Sequence, residues 1–240
     1  MEEWLSRTEM LIGAKKLAAL KSSNILVVGL GGVGSWAAEM LCRSGIGSMT
    51  IVDGDIINAS NRNRQLPALI STEGKYKADV LGERLLDINP DLNLTVIKEF
   101  IRDERMVEIL DHRFDYVIDA IDTLSPKVFL IYHTMCRKMP LISSMGSGGK
   151  IAADLVKVSD ISETVNCPLA KIIRKRIHGM GIRQGFKAVW SPEPPDKTKV
   201  VAIADERNKA SIIGTVSYMP ALFGIVCASV VIKDLVGIKK

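Results

Sequence analysis

NILVVGLGGVGSWAAEML, residues 24–41, decides the fold. Ile25 to Val28 is a β-branched and apolar run, of the kind a parallel sheet buries on both faces. Gly29, Gly31 and Gly34 follow in G-x-G-x-x-G spacing, with Gly32 between them. Each glycine has a physical task there: a tight turn, a close approach of backbone to phosphate, and close packing of helix on strand. The helix that begins near Val33 aims its unpaired N–H groups and positive dipole end at the turn. Asp53, 19 positions beyond Gly34, ends a second apolar run, Met49 to Val52, where an acid can accept from ribose hydroxyls. Strand, glycine turn, helix and acid together predict a nucleotide site. They do not by themselves separate a dinucleotide from a nucleoside triphosphate.

Outward from that stretch, the chain alternates. Residues 9–22 read as a helix, 72–88 as another, stopped by Asn89-Pro90, and 92–100 as a strand. Residues 103–112 read as a helix capped by Asp103, 114–122 as a strand ending in acids, and 125–138 as a helix with Pro126 in its first turn. PLISSMGSGG, from Pro140, is a strand running into glycines. This alternation predicts a doubly wound, mostly parallel α/β sheet over 24–149, with an α+β elaboration from 150 to 240 in the same single domain. Part of 150–161 is expected to be antiparallel, and 192–210 to be a mobile loop. Trp4 and Trp36 are expected in the core.

Composition agrees with one large globular domain: 240 residues, 47% hydrophobic and 25% charged, suffice for a sizeable core. The net charge of +5 suits an anionic partner. The first residues show no long apolar stretch, so no secretory signal is expected. Cys42, Cys136, Cys167 and Cys227 form no C-x-x-C pair, which argues against a disulfide framework and a structural zinc site and for reduced thiols in the cytoplasm. Val216 to Ile232 is an uncharged run of 17 residues, short of the roughly 20 of a spanning helix. A buried terminal helix is expected there ahead of membrane association.

The loop after Asp53 bears on the ligand. Asp55 follows, then SNRNRQ at 60–65, then Lys77, then Asp119 and Asp122 at a strand end. In a sheet of this kind, residues after strand C-termini face one crevice, so Asp53, Asn61, Arg64, Lys77 and Asp122 are expected around one ligand. Cations beside a glycine loop suit a triphosphate, and Asp122 is the carboxylate a magnesium ion between phosphates would take.

GLGGVGS, D-x-D-x-x-x-x-SN-x-x-RQ, a lysine 13 positions after that arginine, and DAID together resemble the ubiquitin-activating-enzyme-like superfamily, with its ThiF and MoeB branches. SRTEMLIG, GSGGKI, CPLAKIIRKR, WSPEPP and YMPALFGIVCASVVI are similar to the branch of tRNA threonylcarbamoyladenosine dehydratases (the TcdA or CsdL type). That resemblance implies an enzyme that spends ATP, with magnesium, to adenylate the carboxylate on the modified adenosine of a tRNA. The neighbouring carbamoyl group then closes a ring with loss of AMP. It implies a nucleotide loop of Gly29, Gly31, Gly32 and Gly34, a ribose contact at Asp53 with Asp55 beside it, phosphate contacts at Asn61, Arg64 and Lys77, and magnesium at Asp122. It implies a homodimer in which Arg7 reaches the partner's ATP site. It leaves open which helper proteins, sulfur-transfer proteins among them, take part. The alternative is adenylation of a sulfur-carrier or ubiquitin-like protein C-terminus, but the two C-x-x-C pairs frequent in those branches are missing.

The helix expected at 168–178 places Lys171, Arg174, Lys175 and His178 on one face and Leu169, Ile172, Ile173 and Ile177 on another. A basic stripe over an apolar underside can follow a phosphate backbone, so Lys171, Arg174 and Lys175 are the expected tRNA contacts.

Overall fold

The computed structural model describes residues 3–194, 200–202 and 211–238. Its centre is a seven-stranded sheet in the order β3-β2-β1-β4-β5-β7-β6. The strands are β1 (Asn24–Val28), β2 (Ser48–Val52), β3 (Asn93–Ile97), β4 (Tyr116–Asp119), β5 (Leu141–Ser144), β6 (Lys157–Asp160) and β7 (Lys187–Trp190). All neighbours pair in parallel except β6, which is antiparallel to β7. The doubly wound reading holds. Strand order reverses between β1 and β4, so the crevice for a ligand opens at their carboxyl ends.

Alternation along β1 divides two cores. Ile25 and Val27 face a cluster with Ala37 and Leu41 of α3 (Gly34–Arg43) and Leu81 and Leu85 of α4 (Lys77–Ile88). Leu26 and Val28 face Met106 of α5 (Asp103–Asp111), Leu130 of α6 (Leu124–Cys136) and Ile173 of α7 (Pro168–Gly179). Helix α8 (Tyr218–Leu235) contains most of the uncharged run and buries Met219, Phe223, Cys227 and Val231, four residues apart, on the first cluster. Its length and composition would also suit a span, but here that face packs along α3.

Several local expectations change. The helix over 9–22 is two, α1 (Ser6–Ile12) and α2 (Ala14–Lys21), broken where Gly13 takes φ +86°. The helix over 72–88 starts only at Lys77, because Tyr76 is extended and bridges Ile56. That delay sets Lys77 at the first helical position, its N–H donating to Asp55 O at 3.0 Å. Asp103 does not cap α5: it is the first helical residue, at φ +43°, and no side chain caps from Arg102 before it. Strand β7 was not foreseen, being four residues whose place between β5 and β6 depends on pairing far along the chain. Of the 150–161 segment only β6 is a strand. Trp4 is 43% exposed rather than core, whereas Trp190 is buried and donates to Ser159 Oγ at 2.9 Å. The 192–210 loop, expected to be mobile, lies largely outside the described residues; within it β8 (Val200–Ala202) pairs with β9 (Ser211–Ile213).

Candidate functional site

The glycine turn fills the switch point. Gly29 leaves β1 at φ +89°, where a Cβ would stand 2.7 Å from Ala120 O on the neighbouring β4 loop. A Cβ on Gly34 would overlap the Gly29 carbonyl oxygen, so turn and helix meet only without side chains. Helix α3 opens at Gly34 with no side-chain cap from Val33; its Ser35 N–H donates back to Gly31 O at 3.3 Å, and the positive end of the helix dipole faces the turn. Gly31 and Gly32 face the loop after β2: Arg64 O is 3.4 Å from a Cβ position on Gly32, and Gln65 Nε2 is 3.7 Å from one on Gly31.

Asp53 ties that loop to the turn. One carboxylate oxygen accepts from Leu30 N–H at 2.6 Å, the other from Asp55 N–H at 2.8 Å. Each oxygen keeps lone-pair capacity for a hydroxyl. Burial pushes its pKa above the ordinary carboxylate value, against the opposing pull of Lys77 and the two backbone donors. Lys77 is buried and paired with Asp55 at 2.7 Å. Asp55, expected at the nucleotide, therefore holds Lys77 in place. Asn61 is buried too, its Oδ1 accepting from Asn58 N–H at 3.1 Å to close a turn. The Arg64 guanidinium lies along its own loop, donating to Ser60 O at 2.9 Å and Asn63 Oδ1 at 2.8 Å.

Beyond β4, Asp119 is fully buried. It receives Lys127 Nζ at 2.8 Å, Ser143 Oγ at 2.6 Å and Ile121 N–H at 3.1 Å. Lys127 also donates to Ile121 O at 3.1 Å. These bonds fix the turn that presents Asp122, exposed, just before α6. The position before α6 belongs to Thr123, next to Asp122. A cleft of about 200 Å³ between Arg102, Asp103 and Met106 on one side and Thr123 to Pro126 on the other adjoins it.

Two residues were not anticipated. Gln65 is buried beside the glycine turn with Oε1 unpartnered, the mark of a site that a ligand or water completes. The signal was its place in the RQ pair. Lys127 carried no signal, since its partner lies on another element.

The outlying expectations divide. Arg7 stands exposed on α1, a helix packed against α2 and the turn before it, so the single chain does not place it in the crevice. On α7, Lys171 and Lys175 are exposed. Arg174 is half-buried, and its guanidinium bonds Thr164 O at 2.8 Å and Thr164 Oγ1. It clamps the loop before α7 and leaves the basic face. The buried side of α7 is Ala170, Ile173 and Ile177, with Ile172 44% exposed, a narrower stripe than the apolar spacing alone implies.

The crevice thus combines helix amides, buried cations and carboxylates around a cradle. That is equipment for holding a polyphosphate and stabilising charge on a leaving phosphate. Among the described residues no group of three or more His, Cys, Asp or Glu could hold a metal, whereas one carboxylate with substrate phosphates suffices for magnesium.

Comparison with known proteins agrees. The profile of the ThiF family matches residues 5–240. The tRNA threonylcarbamoyladenosine dehydratase of Bacillus subtilis (strain 168) is 38% identical, over 96% of this chain and 93% of that protein. The Escherichia coli (strain K12) protein of the same name is 36% identical, over 98% and 96%. The crystal structure of the E. coli dehydratase in complex with ATP superposes with a TM-score of 0.89 at 34% identity, covering 99% of this chain and 96% of that one.

Proposed function

Because the chain belongs to the ThiF family, we propose that it is an ATP-dependent enzyme that dehydrates threonylcarbamoyladenosine in tRNA to a cyclic form. The observation that carries this reading is the meeting of Gly29–Gly34, Asp53, Arg64, Lys77 and the Asp122 turn at one switch point. Full-length similarity to proteins of that name supports it.

The reaction is written in two steps. A carboxylate oxygen of the threonyl group attacks the α-phosphorus of ATP, and pyrophosphate leaves. The carbamoyl group then closes onto the activated acyl carbon, AMP leaves, and the attacking group gives up its proton. Net loss is one water. Neither step needs a protein nucleophile; the work of the chain is orientation and electrostatic stabilisation. Gly29, Gly31, Gly32 and Gly34 let backbone N–H groups approach the phosphates, and Asp53 accepts from the ribose. Lys77 and Arg64 neutralise the departing pyrophosphate, and the Asn61 side-chain amide donates to it. The present partners of Arg64 are a backbone carbonyl and a neutral amide, which phosphate oxygens readily replace. Magnesium, when bound, would neutralise phosphate charge, with Asp122 as its protein ligand.

The enzyme works as a cytoplasmic homodimer. Helix α1 exposes Met10 and Leu11 at 85% and 86%, an apolar pair that a second copy would cover, and Arg7 lies on that same helix. The tRNA backbone runs over α7. Neutralising Lys171 and Lys175 together is expected to weaken tRNA binding and lower its salt slope by about 2, with ATP affinity unchanged. Filter binding over a salt series reads both, and an unaltered tRNA affinity would remove α7 from the interface.

The deciding experiment is mass spectrometry of tRNA nucleosides after incubation with protein, ATP and magnesium. The threonylcarbamoyladenosine peak should move down by one water, with AMP and pyrophosphate formed. ATP–pyrophosphate exchange that depends only on a small protein ending in Gly-Gly would overturn the reading in favour of carrier activation.

A further inference from the structure

Beside the crevice, between it and the C-terminal elaboration, lies a second cavity of about 500 Å³. Its size falls in the range of roughly 300–1,000 Å³ common for small-molecule sites. Its walls include Asn63, Lys150, Glu193, Thr215 and Ser217. It shares a wall with the nucleotide site. Asn63 accepts from Arg64 through Oδ1 and donates to Thr215 O at 3.1 Å through Nδ2. Pro220, three residues past Ser217, stands 2.8 Å from a Cβ position on Gly32. The segment bearing Lys150 follows β5, whose Ser143 is in register with Asp119 of β4.

Lys150 is the unusual group in this wall. It is 3% exposed, and its Nζ donates to Glu193 O. An ammonium has three donors, and among the described residues that carbonyl is the acceptor it has. The Glu193 carboxylate accepts from Ile151 N–H and Ala152 N–H, both at 3.0 Å, which clasps the two loops together. Burial pushes the Lys150 pKa below the ordinary lysine value, with Cys167 and Glu193 opposing. With Glu193 present the wall carries no net charge, so its spare donors suit a neutral oxygen such as that of a carbamoyl group better than a second carboxylate.

We propose that this cavity seats the modified base and that Lys150 Nζ donates to its carbamoyl oxygen, aiming the threonyl carboxylate across Asn63 toward the α-phosphate. The assignment rests on the function proposed above. It makes Lys150 the residue that tells a threonylcarbamoyl adenosine from a plain one.

The test uses the full-length protein and two variants. Lys150→Met removes the donor. Ser217→Trp, at an exposed position, fills the cavity from the other side. For Lys150→Met, the KM for threonylcarbamoyladenosine-bearing tRNA should rise about 10–100-fold, as expected for a lost charge-assisted bond, and for Ser217→Trp it should rise at least as far because the base is excluded. ATP affinity and affinity for the same tRNA lacking the modification should stay at the wild-type level. A merely structural role of Lys150 would lower all three together. If Lys150→Met fails to fold, Ser217→Trp carries the test. A wild-type KM in either folded variant overturns the assignment while leaving the dehydratase reading intact. A wild-type protein that never removes water from the base overturns the dehydratase reading, and the assignment with it.

Discussion

Lys77→Met is expected to slow AMP and pyrophosphate release by about 10²–10³-fold at saturating ATP, the usual cost of deleting one preorganised charge from a site where negative charge develops. The ammonium is buried, held by Asp55 at 2.7 Å, and placed by the first turn of α4, so it does not have to be gathered when the reaction starts. Little stability should be lost with it. Asp55 is 48% exposed and takes up water when its partner goes, so no buried charge is left stranded. Asp55→Asn serves as the companion variant: Lys77 keeps its charge but loses its tether, and an intermediate loss of rate is expected. Single-turnover kinetics separate binding from chemistry. If Lys77→Met raises the KM for ATP and leaves kcat alone, the lysine contributes only uniform binding, and the leaving-group role is wrong.

Lys127→Met should be the most destabilising conservative substitution in the nucleotide core. Lys127 and Asp119 are both 0% exposed and 2.8 Å apart. Removing one partner strands the other charge among the strands, a loss of about 3–5 kcal/mol. The remaining partners of Asp119, the Ser143 hydroxyl and the Ile121 N–H, cannot offset a missing cation. Loss of the bond to Ile121 O also loosens the turn that presents Asp122, so activity should fall beyond what unfolding explains. Adding Asp119→Asn to Lys127→Met should recover part of the stability, since the uncompensated charge goes with it. Urea unfolding of the three proteins measures this. A single-variant loss below about 1 kcal/mol would mean that the pair is solvated and not part of the frame.

The site was legible in outline because its parts are local. A glycine turn needs neighbouring glycines, Asp53, Arg64 and Asp122 lie at or beyond the ends of strands whose apolar runs are visible in the chain, and Lys77 lies in the helical stretch that comes next after Arg64. The doubly wound rule then sends strand ends to one crevice. What escaped were pairings between distant residues. Lys127 reads as a surface charge on an apolar helix until β4 supplies Asp119. Arg174 belongs to a basic stripe by spacing alone, and only the loop at Thr164 turns it inward. Asp55 reads only as a neighbour of Asp53 at the nucleotide, and its pairing with Lys77 becomes visible once Tyr76, bridging Ile56, sets the start of α4. Element boundaries failed for the same reason at Tyr76 and at β7, whereas the break at Gly13 is a local left-handed turn.

By itself the sequence determined the class of sheet, the nucleotide turn and the charged residues available to it, since periodicity and glycine spacing are short-range properties that any fold of this chain must respect. Tertiary structure alone decided which charges are buried and paired, how the chain beyond residue 150 enters the sheet, and that a second cavity with a buried lysine lies against the first. Those depend on desolvation, and whether a side chain loses its water is settled by what packs over it from elsewhere in the chain.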